Sequence, residues 1–313
     1  MSRQKLIIDG KKKIPATNIN GYLIDGPNIE VESRATPLCD VPPMNKGSQP
    51  TDGGFLIIES KDYEEFLERE PRAEKFIRRY VGAEEYINGK LRWCLWLVDA
   101  TPEEIKSMPL VAARVDAVRQ YRLTCKSRQT QRDAARPALF QSIRQPSTEY
   151  IIVPRVSSER RKYVPMGFLT PDVIASDAAS VIPNANLFHF AMLESIVHMA
   201  WMRVVCGRLE ISYRYSGTIV YNNFPWITPT VQQYLQLSSL AEIILEIRDE
   251  HDDMTLAQMY NPESMPDDLR DVHDQIDRLV MSMYGFDESW TEADMIGQLL
   301  LMYKELAECA GKN

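Results

Sequence analysis

Between Gly207 and Tyr215 the sequence reads GRLEISYRY, and Glu210, Ser212 and Arg214 fall on alternate positions. Side chains two apart on an extended strand share a face, so a carboxylate, a hydroxyl and a guanidinium would stand in a row. That set matches the base edges of a DNA major groove. A carboxylate accepts from cytosine N4, a hydroxyl serves several bases, and a guanidinium donates to guanine O6 and N7 together. Leu209, Ile211, Tyr213 and Tyr215 would pack the opposite face. A half-buried strand that only turns a polar face to water gives the same alternation, so the pattern leaves both readings open.

A second group lies upstream. Ser157, Ser158, Arg160, Arg161 and Lys162 supply two hydroxyls and three cations between two expected strands. A loop of that composition can hold successive phosphates and fix register on a duplex, although an exposed charged hairpin loop reads the same way. The net charge of −8 argues against a polyanionic partner only if it is evenly spread. It is not: from about residue 111 to 170 the chain is basic, with Arg114, Arg119, Arg122, Lys126, Arg128 and Arg132 among its cations, and the acids gather beyond residue 240.

Other chemistries find less. The nearest strings to a methyltransferase amino-base loop, Val41-Pro42-Pro43-Met44 and Asn222-Asn223-Phe224-Pro225-Trp226, lack a polar residue directly before a Pro-Pro-aromatic unit. No glycine-containing strand-to-helix turn suits a nucleotide-like methyl donor. Glu59-Ser60-Lys61, with Asp25 and Asp52 upstream, has the local form of a magnesium nuclease triad, in which Glu59 would hold the metal. A plain strand end is the simpler reading of so short a match. His189 and His198 are nine apart on an apolar stretch, which excludes the i, i+4 pairing of a helical zinc site. His251 and His273 sit in acidic helices. The five cysteines are scattered without a C-x-x-C pair, so they read as reduced packing residues.

The elements that must position these groups follow from periodicity. Residues 1 to 21, with the cluster Lys11, Lys12 and Lys13, resemble the trailing end or linker of something longer. From residue 22 to about 96, β-rich runs alternate with a charged helical segment, Lys61 to Arg79, that Pro71 should break into two helices. Thr101-Pro102-Glu103-Glu104 opens a helix, and an arginine-rich helix covers Met108 to Ser127. Residues 149 to 156, 163 to 169 and 209 to 215 are expected as strands, and Asn186 to Cys206 as one apolar core helix. Beyond Pro225 and Pro229 the pattern is helical, with candidates over LAEIILEIRDEH, DDLRDVHDQIDRLVMSMY and EADMIGQLLLMYKELAE. No apolar run reaches the roughly 20 residues of a membrane helix, so a cytoplasmic protein with no membrane partner is expected.

The wording of several segments carries more than their periodicity. YLIDGPN, GSQPTDGGFLIIES, FIRRYVGAEEYINGKLRWCLWL, YIIVPRVSSERRKYVPMGFL, IPNANLFHFAMLESIVHMAWMRVVCGRLEISYRYS and IVYNNFPW, in order over residues 22 to 227, resemble the target-recognition domain of MmeI-like (type IIL) restriction-modification enzymes. The resemblance implies an α+β chain: a mixed α/β target-recognition domain over 22–228, then a small all-helical C-terminal domain over 229–313. It also implies that an upstream nuclease and an adenine-N6 methyltransferase of the same polypeptide do the chemistry. S-adenosylmethionine and Mg2+ would then be cofactors of that parent enzyme, and none is expected in this chain. The partner would be double-stranded DNA.

Family base-reading positions map to Glu210, Ser212 and Arg214, and to Arg155, Asp177 and Ala178 at two neighbouring spots. Ser212 departs from the charged residue usual opposite the acid there, which leaves open the base it would read. Two other classes compete: an autonomous magnesium nuclease built on Glu59 and Lys61, and a protein-interaction module that offers its acidic helices to a basic partner.

Overall fold

The computed structural model describes residues 5–9 and 12–310; of the expected lysine cluster, Lys11 lies outside the described residues. The chain divides into two compact units that do not follow chain order. One comprises Met1–Met44, Arg155–Gly167 and Ile182–Asn313, the other Asn45–Pro154 and Phe168–Val181. The helical tail therefore shares a unit with the 157–162 loop and the 207–215 stretch.

Two four-stranded sheets fall wholly or mostly in the second unit. One has the order Ile174–Ala175, Ile77–Val81, Arg92–Leu95, Ile57–Glu59, and the other Asn45–Lys46, Ala179–Pro183, Tyr150–Pro154, Gly167–Leu169. Pro71 breaks the charged segment as expected, but the helical reading through Arg79 is corrected: after the Tyr63–Arg69 helix come only a 3-10 turn over Pro71–Phe76 and then a strand, Ile77–Val81, which pairs with Arg92–Leu95. A capping box between Thr101 and Glu104 starts the Pro102–Lys106 helix, and the arginine-rich helix spans Pro109–Thr124. Its Val111, Val115 and Val118 lie on one face and enter the core with Leu56, Ile58, Phe76 and Leu95.

Not every cation of the basic stretch is available to a partner. Arg122 is fully buried and donates to the carbonyls of Pro50, Thr51, Asp133, Arg136 and Leu139. It gathers the backbone of three loop segments, and burial lowers its pKa. Arg114 is also turned inward, donating to the carbonyls of Phe55 and Ile57. Arg119, Lys126, Arg128 and Arg132 remain exposed.

In the first unit, helices span Val231–Glu250, Leu256–Met259, Asp267–Met283 and Glu292–Ala310, which matches the three expected tail helices and adds one short turn. The single core helix expected over Asn186 to Cys206 is instead two, Leu187–Leu193 and Ile196–Val205. The break has a physical cause at Glu194 and Ser195. Ser195 caps the second helix by accepting from the His198 amide, while the wholly buried Glu194 carboxylate accepts from the Met166 amide at 2.6 Å and from Arg248 at 3.1 Å.

The strand expected over 163 to 169 forms only at Gly167–Leu169. Pro165 removes a ladder donor, and the preceding residues are held by side chains instead. The Tyr163 hydroxyl donates to Asp277 at 2.7 Å, and the Val164 amide to the Met199 sulfur. Among the described residues no helix is long and apolar enough to cross a membrane.

Candidate nucleic-acid interface

The 207–215 stretch is a hairpin, and this corrects the continuous strand expected over 209 to 215. Gly207–Leu209 pairs antiparallel with Ser212–Arg214, in the register Gly207 with Arg214, Arg208 with Tyr213 and Leu209 with Ser212. Glu210 and Ile211 are left as the turn. Glu210 has φ of +54° and no positive φ occurs at Ile211, the pattern of turns that normally place glycine first. Glu210 therefore stands at the tip, while Ser212 and Arg214 stand two apart on the strand. The expected apolar face is also half wrong: Tyr213 and Tyr215 are 7% and 1% exposed, but Leu209 and Ile211 are 51% and 69% exposed. A turn residue cannot follow the alternation of a strand, so Ile211 is lifted off the packed side.

Val156–Ser157 completes a three-stranded sheet, pairing Tyr213 with Ser157 and Arg214 with Val156. One face carries Tyr213, Tyr215 and Ser157, all buried. The Arg208 guanidinium lies 4.1 Å from the Tyr213 ring centroid on this side. The other face carries Ser212, Arg214, Leu209 and Val156, with Gly207 beside Arg214. Space is open where a Cβ at Gly207 would lie, so the Arg214 side chain is not crowded from that flank. Arg155 takes the register of the buried face, and its carbonyl accepts from the Tyr215 amide at 2.9 Å. The Tyr215 hydroxyl lies 2.8 Å from His198 Nε2, which ties the end of the hairpin to the Ile196–Val205 helix.

The 157–162 loop sorts into committed and presented groups. Ser157 is buried, and its hydroxyl accepts from Arg161 at 3.4 Å. Arg161 is partly buried, and the loss of water lowers its pKa. Ser158 turns the chain: its hydroxyl accepts from the Arg160 amide and its carbonyl from the Arg161 amide. Lys162 is held 3.1 Å from Asp274 and 3.2 Å from Asp277 on the Asp267–Met283 helix. Arg160 projects from the turn as an exposed cation. Asp177 and Ala178 belong to the other unit, in the turn between the Ile174–Ala175 and Ala179–Pro183 strands, with Ala178 exposed and Asp177 partly so.

The nuclease-like string does not assemble a triad. Glu59 ends its strand and Lys61 lies in the following 3-10 turn, whereas the Asp52 carboxylate accepts from the amides of Gly54 and Leu56 and so serves its own turn. Asp25 serves its loop in the same way, accepting from the amides of Thr17 and Asn18. Among the described residues no group of three or more His, Cys, Asp and Glu side chains is placed to hold a metal ion.

The hairpin turn escaped sequence reasoning because Glu-Ile carries none of the Asn-Gly or Asp-Gly signal of a tight turn.

Comparison with known proteins gives this arrangement its context. Residues 25–228 match the family model of the MmeI target recognition domain, and residues 230–309 that of the MmeI C-terminal domain. The chain belongs to the MmeI family and comprises a target recognition domain followed by the family's C-terminal domain. DNA methyltransferase A of Bacillus subtilis (strain 168) is 35% identical over 303 residues, covering 97% of this chain and 34% of its relative. A solved structure of the type IIL restriction-modification enzyme MmeI in complex with DNA superposes with a TM-score of 0.94 at 39% identity, over 98% of this chain and 42% of that one. The chain thus spans about a third of the curated relative's length and less than half of the solved one's.

Proposed function

We propose that this chain reads the sequence of double-stranded DNA for an adenine-N6 methyltransferase and restriction enzyme whose catalytic domains lie in the same, longer polypeptide. One observation carries the reading: the hairpin turns Ser212 and Arg214 outward over two buried tyrosines, with Arg160 exposed on the loop that leaves the neighbouring strand. Arg214 would donate to guanine O6 and N7, Ser212 would contact an adjacent base, and Glu210 at the tip would accept from cytosine N4. Arg155, Asp177 and Ala178 are further base-reading positions on the family resemblance. Ser158, Arg160 and Arg161 would contact phosphates and set the register.

Phosphate contacts supply affinity and base contacts supply discrimination, so the two sets separate experimentally. The adenine would be rotated out of the stack into the methyltransferase cleft. S-adenosylmethionine and Mg2+ would serve the catalytic domains, and this chain's own part is recognition without catalysis. Binding to a randomised duplex pool tests the reading. Arg214→Ala should relax preference at one base position by about 1 to 3 kcal/mol, and Arg160→Ala should weaken all sequences alike. Two silent substitutions would remove the basis for these roles.

A further inference from the structure

We infer that Leu209 and Ile211 are apolar reading residues that contact thymine C5-methyl groups in the major groove; the inference rests on the DNA reading proposed above. Both are large aliphatic side chains in water, at 51% and 69% exposure. An isolated exposed leucine needs no explanation, because much of any protein surface is apolar. Their position does. Leu209 is paired with Ser212 on the face that also carries Arg214, and Ile211 occupies the turn that leads into Ser212.

Local preference does not account for them. The central residues of a tight hairpin turn are normally Gly, Asn or Asp, yet this turn holds Glu at φ +54° followed by a β-branched isoleucine. Burial does not account for them either: the buried side chains of this stretch are Tyr213 and Tyr215, and Leu209 lies on the opposite face. The surroundings identify the occupant. Arg214 shares the outward face with Leu209, and Arg160 is exposed on the adjoining loop; two exposed cations beside an apolar reader complement a polyanion. A two-stranded ribbon fits the major groove, where the thymine methyl is the apolar feature that a side chain can meet. Polar readers flanked by aliphatic ones would distinguish thymine from cytosine on one strand and guanine from adenine beside it.

The test uses the 313-residue chain and two randomised duplex pools. One pool contains thymine; the other contains deoxyuridine, which pairs identically and lacks the C5-methyl. Bound duplexes are sequenced for the wild type, Ile211→Ala, Leu209→Ala and Arg214→Ala. All three side chains are exposed, so the variants should keep the fold. The wild type should prefer thymine at one or more positions beside the base that depends on Arg214, and that preference should fall roughly fourfold per contacted methyl in the deoxyuridine pool. Ile211→Ala and Leu209→Ala should each erase the difference between pools at the position that side chain contacts, and both should leave the Arg214-dependent preference intact. Equal preferences in the two pools, with Arg214→Ala still relaxing specificity, would overturn this inference and spare the DNA reading. Absence of any sequence preference in either pool would overturn both.

Discussion

The imidazole Nε2 of His198 lies 2.8 Å from the hydroxyl oxygen of Tyr215, and both side chains are buried. This bond joins a core helix to the residue that follows Arg214, so the orientation of the outward face depends on an inward contact. Tyr215→Phe removes the hydroxyl and leaves a buried imidazole nitrogen without its partner. A loss of about 1 to 3 kcal/mol is expected in urea denaturation. If the unfolding midpoint does not move, the bond contributes nothing net.

The same histidine sets a pH dependence. Burial holds the His198 pKa at about 3, far below its ordinary 6.5. Below pH 6.5 the unfolded chain binds a proton that the folded chain refuses, so stability present above 6.5 is lost as pH falls toward about 3. His273, also lowered by burial, acts in the same direction. The Glu194 and Asp277 carboxyls, raised by burial, keep protons in the fold that the unfolded chain releases, and they offset part of the loss near their ordinary range. His198→Gln should flatten the fall in stability between pH 7.5 and 5 in parallel urea titrations. A slope identical to the wild type would show that other groups cause it.

A buried ion pair joins the tail to the rest of its unit. Arg248 and Glu194 have side chains 6% and 0% exposed, and the guanidinium also donates to Tyr260 and to the Met166 carbonyl. Arg248→Met strands a carboxylate away from water and should cost about 3 to 5 kcal/mol. The double variant Glu194→Leu with Arg248→Met should recover only part, because the Met166 amide and carbonyl lose their partners. Thermal unfolding of the two variants decides: full recovery would mean that Met166 finds other partners.

What the sequence disclosed and what it concealed divide along a physical line. Periodicity found the tail helices, and local chemistry found the helix start at Thr101 and the Pro71 break, because these depend on neighbours in the chain. Contacts between distant segments were not visible. Arg122 and Lys162 look like free cations in a basic run, yet backbone carbonyls hold the first and two aspartates more than a hundred residues away hold the second. Glu194, within an apolar run, gave no sign that it would break a helix to meet Arg248. The alternation around Ser212 pointed to the right strand but not to its turn, since a Glu-Ile turn breaks the local rules.

That turn yields a separable prediction. A residue with a Cβ at positive φ costs about 1 to 2 kcal/mol relative to glycine, and Glu210 sits at φ +54°. Glu210→Gly should hold or raise stability while removing the carboxylate that the proposed reading assigns to cytosine. Denaturation and pool sequencing on the same variant would show the two effects apart. A variant that is destabilised would indicate that Glu210 makes contacts worth more than its strain.

Lys162 offers the sharpest contrast within the basic loop. Its ammonium is shared between Asp274 and Asp277, and its carbonyl accepts from Arg203, so neither end of the residue is idle. A cation already neutralised in the free protein releases few counterions from DNA on binding. Lys162→Ala should therefore leave the slope of log K against log salt almost unchanged, while Arg160→Ala should reduce it by about 0.9. Fluorescence anisotropy of a labelled duplex across a potassium chloride series measures both. Should Lys162→Ala flatten the slope as much as Arg160→Ala, the lysine must leave its aspartates for a phosphate when DNA arrives. Asp274→Asn would then strengthen binding at low salt.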